Sequence, residues 1–353
     1  MKLIAAFLTT VLFAAAGVEI NPGVMWKDEA GHDITAHGGC VIKVGKSFYW
    51  YGENNRLPGS GFGVFTGVNC YASTDFTRWR KVGIVLAPTE SGPLSAKDGR
   101  VANRPKVLYN KHTAKYVMIV TETGAGGGHL LYATSPTPEG PFTYQGWSFG
   151  ANQSKTMDMG VYQEGESAYL VYSDNNCGIS IDRLNDDYLS VRQRVAHIRN
   201  NDCQCGPSHP SPNYNVWIPK EKIQVLKGCE EGPAIVKANE LYFLVTSWCS
   251  GWEPNQCHYR VSKRLEGPWN PEPDGYLGDD TSFRSQSGYI LTITGNKGST
   301  YINISDRWKG GNTEAGSTYP WLPLQINGST MLLQWYDRWY LDLEAGTWSA
   351  TKP

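Results

Sequence analysis

The stretch GPAIVKANELYFLVTS, from Gly232 to Ser247, reads as two β-strands folded about a polar turn. Ala234, Ile235 and Val236 make an apolar run, Ala238-Asn239-Glu240 carries the turn, and Leu241 to Val245 is apolar and aromatic again. The same shape recurs in GGCVIKVGKSFYWYGE from Gly38, RPKVLYNKHTAKYVMIVT from Arg104, MGVYQEGESAYLVYS from Met159 and SGYILTITGNKGSTYINIS from Ser287. A third β-rich segment follows each of the first four hairpins: NCYAST, HLLYATS, GISIDRL and CHYRVSK. Trp79, Gly140-Pro141-Phe142 and Gly267-Pro268-Trp269 close three of these units. Self-similar units of three to four strands, repeating every ~55–75 residues, are the signature of a β-propeller. A large sandwich does not produce similar units in series. Five copies predict an all-β, five-bladed β-propeller, and MLLQWYDRWYLDL from Met331 supplies further strands to close the ring.

Outside the repeats, Lys2 precedes an apolar run from Leu3 to Ala16, and Ala14-Ala15-Ala16-Gly17 resembles a cleavage site. We read residues 1–17 as a signal peptide and 18–353 as a single domain, secreted and extracellular. The run is too short to span a bilayer. The proline- and cysteine-rich stretch 196–229 breaks the period and reads as an inserted loop. Eight cysteines in an exported chain imply disulfides. Cys249 with Cys257 is the expected pair, and a further bridge is expected among Cys203, Cys205 and Cys229. Cys203, Cys205, His209 and Cys229 would also satisfy a zinc count, but an oxidising compartment argues against free thiolates. The sequons at Asn152, Asn303 and Asn327 are expected glycan sites, making the product a glycoprotein.

The formal charge of -1 gives no electrostatic footprint for nucleic acid or an anionic membrane, and we expect neither as a partner. Charged residues are only 18% and aromatics 12%, with 13 tryptophans, which suits an uncharged substrate whose C–H faces stack on rings. Carbohydrate fits, as does an aromatic all-β core. Gly39 to Lys46 misses the phosphate-loop spacing by one residue and lies within an expected strand.

In a propeller the first strand of each blade lines the channel. The polar residue at the start of that strand, read from each copy, is His37, Asn103, Asp158, Glu231 and Gln286. These side chains are expected to converge in one funnel. Glu231 stands out, because Gly232-Pro233 and an apolar strand follow it directly, and desolvation raises a carboxyl pKa as a general acid requires.

Glu231-Gly232-Pro233 before an apolar strand resembles the acid motif of glycoside hydrolase family 43. Several further segments resemble its exo-β-1,3-galactanase branch: Trp26-Lys27-Asp28, Ala36-His37-Gly38-Gly39, Phe48-Tyr49-Trp50-Tyr51-Gly52-Glu53, Arg104-Pro105-Lys106-Val107, Ser250-Gly251-Trp252-Glu253-Pro254-Asn255 and Asp306-Arg307-Trp308. The likeness runs in order through almost the whole mature chain. It implies exo-hydrolysis of β-1,3-galactan, the arabinogalactan backbone, with inversion. By the same resemblance Glu231 is the acid, Asp158 tunes it, and Gln286 positions the attacking water, ~6.5–9.5 Å from the acid in an inverting enzyme. The family's usual base aspartate is absent at the His37 segment, and Asn103 replaces the branch's glutamate. Substrate-binding candidates are Glu53, Asn103, Arg104, His37, Trp252 and Arg307. His37 could instead meet a central ion or water. No cofactor and no metal ligand set are implied, a structural calcium in the channel is not predicted, and a monomer without an appended carbohydrate-binding module is expected. The alternatives are an arabinofuranosidase or xylosidase of the same family, or a non-catalytic carbohydrate-binding propeller. The latter would have no need of a buried acid.

Overall fold

The computed structural model describes residues 17–54, 64–95, 97, 101–123, 127–174, 178–199, 226–309 and 316–350. The chain starts with a short strand, β1 (Val18–Ile20), and then builds five four-stranded antiparallel sheets in sequence order. The first holds β2 (His37–Val44), β3 (Ser47–Glu53), β4 (Val68–Ser73) and β5 (Arg80–Leu86). The second holds β6 (Val101–Asn110), β7 (Lys115–Thr123), β8 (His129–Ser135) and β9 (Thr143–Ser148). The third holds β10 (Thr156–Glu164), β11 (Ser167–Asp174), β12 (Ile179–Leu184) and β13 (Val191–Ile198). The fourth holds β14 (Leu226–Ala238), β15 (Leu241–Cys249), β16 (His258–Ser262) and β17 (Gly275–Tyr276). The fifth holds β18 (Gln286–Thr294), β19 (Ser299–Asp306), β20 (Leu322–Asn327) and β21 (Thr330–Leu333).

The expected blade count is corrected from five to six. β22 (Trp339–Asp342) and β23 (Thr347–Ala350) form a hairpin, and β1 pairs with β22, Val18 opposite Leu341 and Ile20 opposite Trp339. This three-stranded sheet is the sixth blade of a six-bladed propeller. Its strands come from opposite ends of the chain, so it leaves no contiguous repeat to count. The first strands of the four-stranded blades touch in order, β2, β6, β10, β14, β18 and back to β2, and they line the channel.

Each of those first strands carries a bulge close to its channel end: between His37 and Cys40, Asn103 and Lys106, Thr156 and Met159, Glu231 and Ala234, and Ser287 and Tyr289. A bulge adds one unpaired residue and re-aims its neighbours, so the polar residues turn into the funnel while the alternation beyond them fills the core. Gly38 and Gly232 take the left-handed conformation within two of these bulges, and Arg104, at φ +55°, takes it without being glycine. Between the blades Val41, Val107, Val161, Val236 and Ile290 are buried.

Two processing expectations change. Cys249 and Cys257 are both buried free thiols, because Thr246 pairs with His258 and Cys249 lies beyond the end of that ladder while Cys257 tucks under Ser285. Asn303 is 2% exposed and its side-chain oxygen accepts the Ser287 hydroxyl at 2.7 Å, so a glycan there does not fit the fold, whereas Asn152 and Asn327 are exposed. Cys203, Cys205 and His209 and most of the expected signal peptide lie outside the described residues.

Candidate active site

The bulged strand ends bring Arg104, Asp158, Glu231 and Gln286 into one hydrogen-bonded group. Arg104, on β6, reaches to the neighbouring first strand and grips Asp158 on β10 with two bonds, Nε to Oδ1 at 3.1 Å and Nη2 to Oδ2 at 2.7 Å. The backbone N–H of Gly232 donates to Asp158 Oδ2 at 3.0 Å. Gly232 can turn that N–H inward because its φ of +61° suits glycine, and an added Cβ would lie 2.8 Å from Ser287 O. Both oxygens of Asp158 are therefore engaged.

Glu231 sits partly exposed at the wall of the funnel. Desolvation and the nearby Asp158 charge push its pKa up to about 8, while Arg104 and hydrogen bonds from Cys249 and Gln286 draw it partly back. It therefore holds a proton at neutral pH, the state a general acid needs. The adjacent Glu230 points the other way along the strand, into the blade, where its fully buried carboxylate receives Arg260 at 2.6 and 2.9 Å and the Thr246 hydroxyl at 2.8 Å. Burial raises the Glu230 pKa, yet hydrogen bonding to His258 and the charge of Arg260 outweigh it and hold the group low. Two consecutive glutamates thus have opposite protonation preferences set by the two faces of one strand.

Gln286, at the start of β18, donates from Nε2 to Glu231 Oε1 at 3.1 Å and to Ser247 Oγ at 2.9 Å. Its Oε1 accepts from Arg104 Nη2 at 2.7 Å and from the Trp308 indole N–H at 3.0 Å. The acid and Gln286 are in direct contact, not at the ~6.5–9.5 Å of an inverting acid and its water-holding partner. In Asp306-Arg307-Trp308 the sequence points to Arg307 as the sugar contact, whereas the structure brings Trp308 to Gln286. Alternation along the extended chain separates the two: Asp306 and Trp308 face the channel, and Arg307 turns to Phe283 O and the Trp335 ring. Arg307 is not brought into the site.

The other candidates are nearer. Glu53, 2% exposed, accepts the Arg104 backbone N–H at 2.9 Å. His37 is buried, stacks on Tyr319 and lies 3.6 Å from Asp306. Asn103 donates to Thr123 Oγ1 at 3.3 Å, and the bulge gives the hub position to Arg104 instead. Trp252 meets Trp308 edge-on at 5.6 Å, and these two rings with Ser247, Glu253, Arg284 and Gln286, the hydrogen-bond partner of Glu231, line a groove. The arrangement offers a proton donor, a fixed cation and an aromatic wall, which suits acid-assisted cleavage of an uncharged, ring-shaped substrate.

Comparison with known proteins agrees with this chemistry. Residues 39–290 match the profile of the glycosyl hydrolases family 43. The fold superposes on an exo-β-1,3-galactanase of Phanerochaete chrysosporium, solved with β-1,3-galactotriose, with a TM-score of 0.79 and 29% identity over 95% of this chain and 71% of that one. An exo-β-1,3-galactanase from Clostridium thermocellum gives a TM-score of 0.78 and 30% identity, covering 95% and 69%. A non-reducing-end α-L-arabinofuranosidase of Bacteroides ovatus is 22% identical over 65% of this chain, which spans only 37% of that relative.

Proposed function

We propose that this chain, which belongs to glycosyl hydrolase family 43, is a secreted exo-acting hydrolase of β-1,3-galactan with Glu231 as its general acid. The observation that carries the reading is the carboxyl of Glu231, pushed up to about 8 beside the Arg104–Asp158 pair at the mouth of the channel. The likeness over nearly the whole chain to exo-β-1,3-galactanases supports galactan over other sugars. Asp158, with both oxygens held by Arg104 and Gly232, is poorly placed to act as a nucleophile. That favours a single displacement by water, with inversion, over a covalent intermediate. Gln286 enters this reading through its contact with the acid. The groove lined by Trp252 and Trp308 would stack the sugars.

The test is incubation of the purified protein with β-1,3-galactan, an aryl α-L-arabinofuranoside and an aryl β-xyloside. Galactose should be released from the first, and early proton NMR of a β-1,3-galactooligosaccharide digest should show the α anomer. Glu231→Gln should lower turnover by at least ~10²-fold with the fold intact. Preferential cleavage of the arabinofuranoside would overturn the galactan assignment, and β-galactose appearing first would overturn inversion.

A further inference from the structure

An amide side chain has two ends of nearly equal shape and opposite chemistry, and at Gln286 the surroundings decide which end goes where. Oε1 faces Arg104 Nη2 and Trp308 Nε1, two donors with no lone pair to offer. Nε2 faces Glu231 Oε1 and the Ser247 hydroxyl, both able to accept. Turning the amide over would set its N–H against the two N–H donors of Arg104 and Trp308, neither of which can accept. The guanidinium alone is a divided anchor, because the same Nη2 also serves Asp158. The indole N–H is given wholly to Gln286. Trp308 is itself held, its ring lying under the Arg104 guanidinium at 5.4 Å and against Trp252.

The geometry points to Trp308 as a positioning residue that, with Arg104, fixes the Gln286 nitrogen on Glu231 Oε1 and so leaves Oε2 to carry the acid's proton. The inference rests on the reading of Glu231 as the acid. A neutral carboxyl that receives an N–H on one oxygen keeps its own hydrogen on the other, so the proton's location is set before substrate arrives. The remaining groups facing Glu231 are Asp158 from β10, Arg104 from β6 and the Cys249 thiol from β15, and they are common to every variant below. An N–H donated to a carboxyl favours its ionised form. If the amide is released and presents its oxygen instead, the protonated form gains, and the Glu231 midpoint rises.

Trp308→Phe removes the N–H and keeps a ring under Arg104. It should lower kcat on β-1,3-galactan about 10-fold and leave KM within about two-fold, the pattern of a lost transition-state interaction. The carboxyl carbon of Glu231, assigned by Glu231→Gln and followed by carbon-13 NMR, should titrate about half a pH unit or more higher. The two side-chain N–H signals of Gln286, sharp and distinct in the parent, should broaden. In a Gln286→Ala background, Trp308→Phe should have no further effect on the Glu231 midpoint. An unchanged midpoint with unchanged amide signals overturns the proposal, as does an equal midpoint shift with and without Gln286. A parent protein that cleaves no galactan but shows the expected shift would leave the proton placement standing and bring down the catalytic reading alone.

Discussion

A general acid at Glu231, as proposed, must give up a proton to a sugar oxygen and yet hold it at neutral pH, and its neighbours divide that work. Burial and Asp158 raise the pKa, and Arg104, Cys249 and Gln286 limit the rise to about 8. Because the protonated form is the active one, kcat/KM should fall as pH rises through about 8, and Glu231→Gln should abolish that limb. Stability follows the same sign. A carboxyl raised from its ordinary value of 4.5 ionises more readily in the unfolded chain, so its protonated state costs nothing below that value and the fold loses stability as pH rises from there toward 8. Glu231→Gln should therefore melt near the parent at pH 5 and above it at pH 9. Equal melting at both values would mean that the carboxyl is not desolvated. The place of Glu231 among the funnel groups was legible in the sequence because a charged residue abuts an apolar strand. Trp308 was not, because a tryptophan in an all-β chain reads as core until its N–H is seen to meet an amide oxygen.

The strand is the unit that separates Glu231 from Glu230. On β14 successive side chains leave by opposite faces, and Glu230 enters the blade, where Arg260, Thr246 and His258 surround it. A buried pair adds little over an apolar replacement of both partners, but removal of one partner leaves the other charged and dry. Glu230→Gln should then cost about 3 kcal/mol of unfolding free energy at pH 7 in urea. Glu230 is held below its usual range, so its contribution is complete above the unfolded value of 4.5 and fades as pH falls through the lower folded one. The gap between parent and variant should close at low pH; a gap independent of pH would assign the loss to packing. At this scale the hairpins were legible because apolar and polar residues alternate around turns. The bulges were not, since one extra residue leaves the composition unchanged, and they are what pass the hub role from Asn103 to Arg104. The Cys249–Cys257 pairing failed for a similar reason: sequence distance suggested a bridge, and strand register denies it.

The ends of the chain meet in the sixth sheet, whose pairing no local pattern announces. Ile20, Trp339 and Leu341 join one apolar cluster with Trp50, Trp79 and Trp321, and the Trp339 indole donates to Trp321 O at 3.0 Å. Trp50 and Trp321 pack edge to face at 4.5 Å, so the cluster ties the first, fifth and sixth blades together. A ring with its first and last four-stranded blades held this way resists opening at the seam where the two blades meet, the place where a propeller lacks a covalent connection. Trp339→Ala deletes the fully buried link and leaves a cavity, at a cost of about 3–5 kcal/mol. In a chain of this size that should lower the melting temperature by roughly 4–7 °C. None of the groups bonded to Glu231 touches Trp339, so turnover of the protein still folded at 25 °C should match the parent. A melting temperature unchanged by the substitution would mean that the sixth sheet is not part of the closure. Lost turnover with unchanged melting would mean that it shapes the funnel through Trp321 and Tyr319, which stacks on His37.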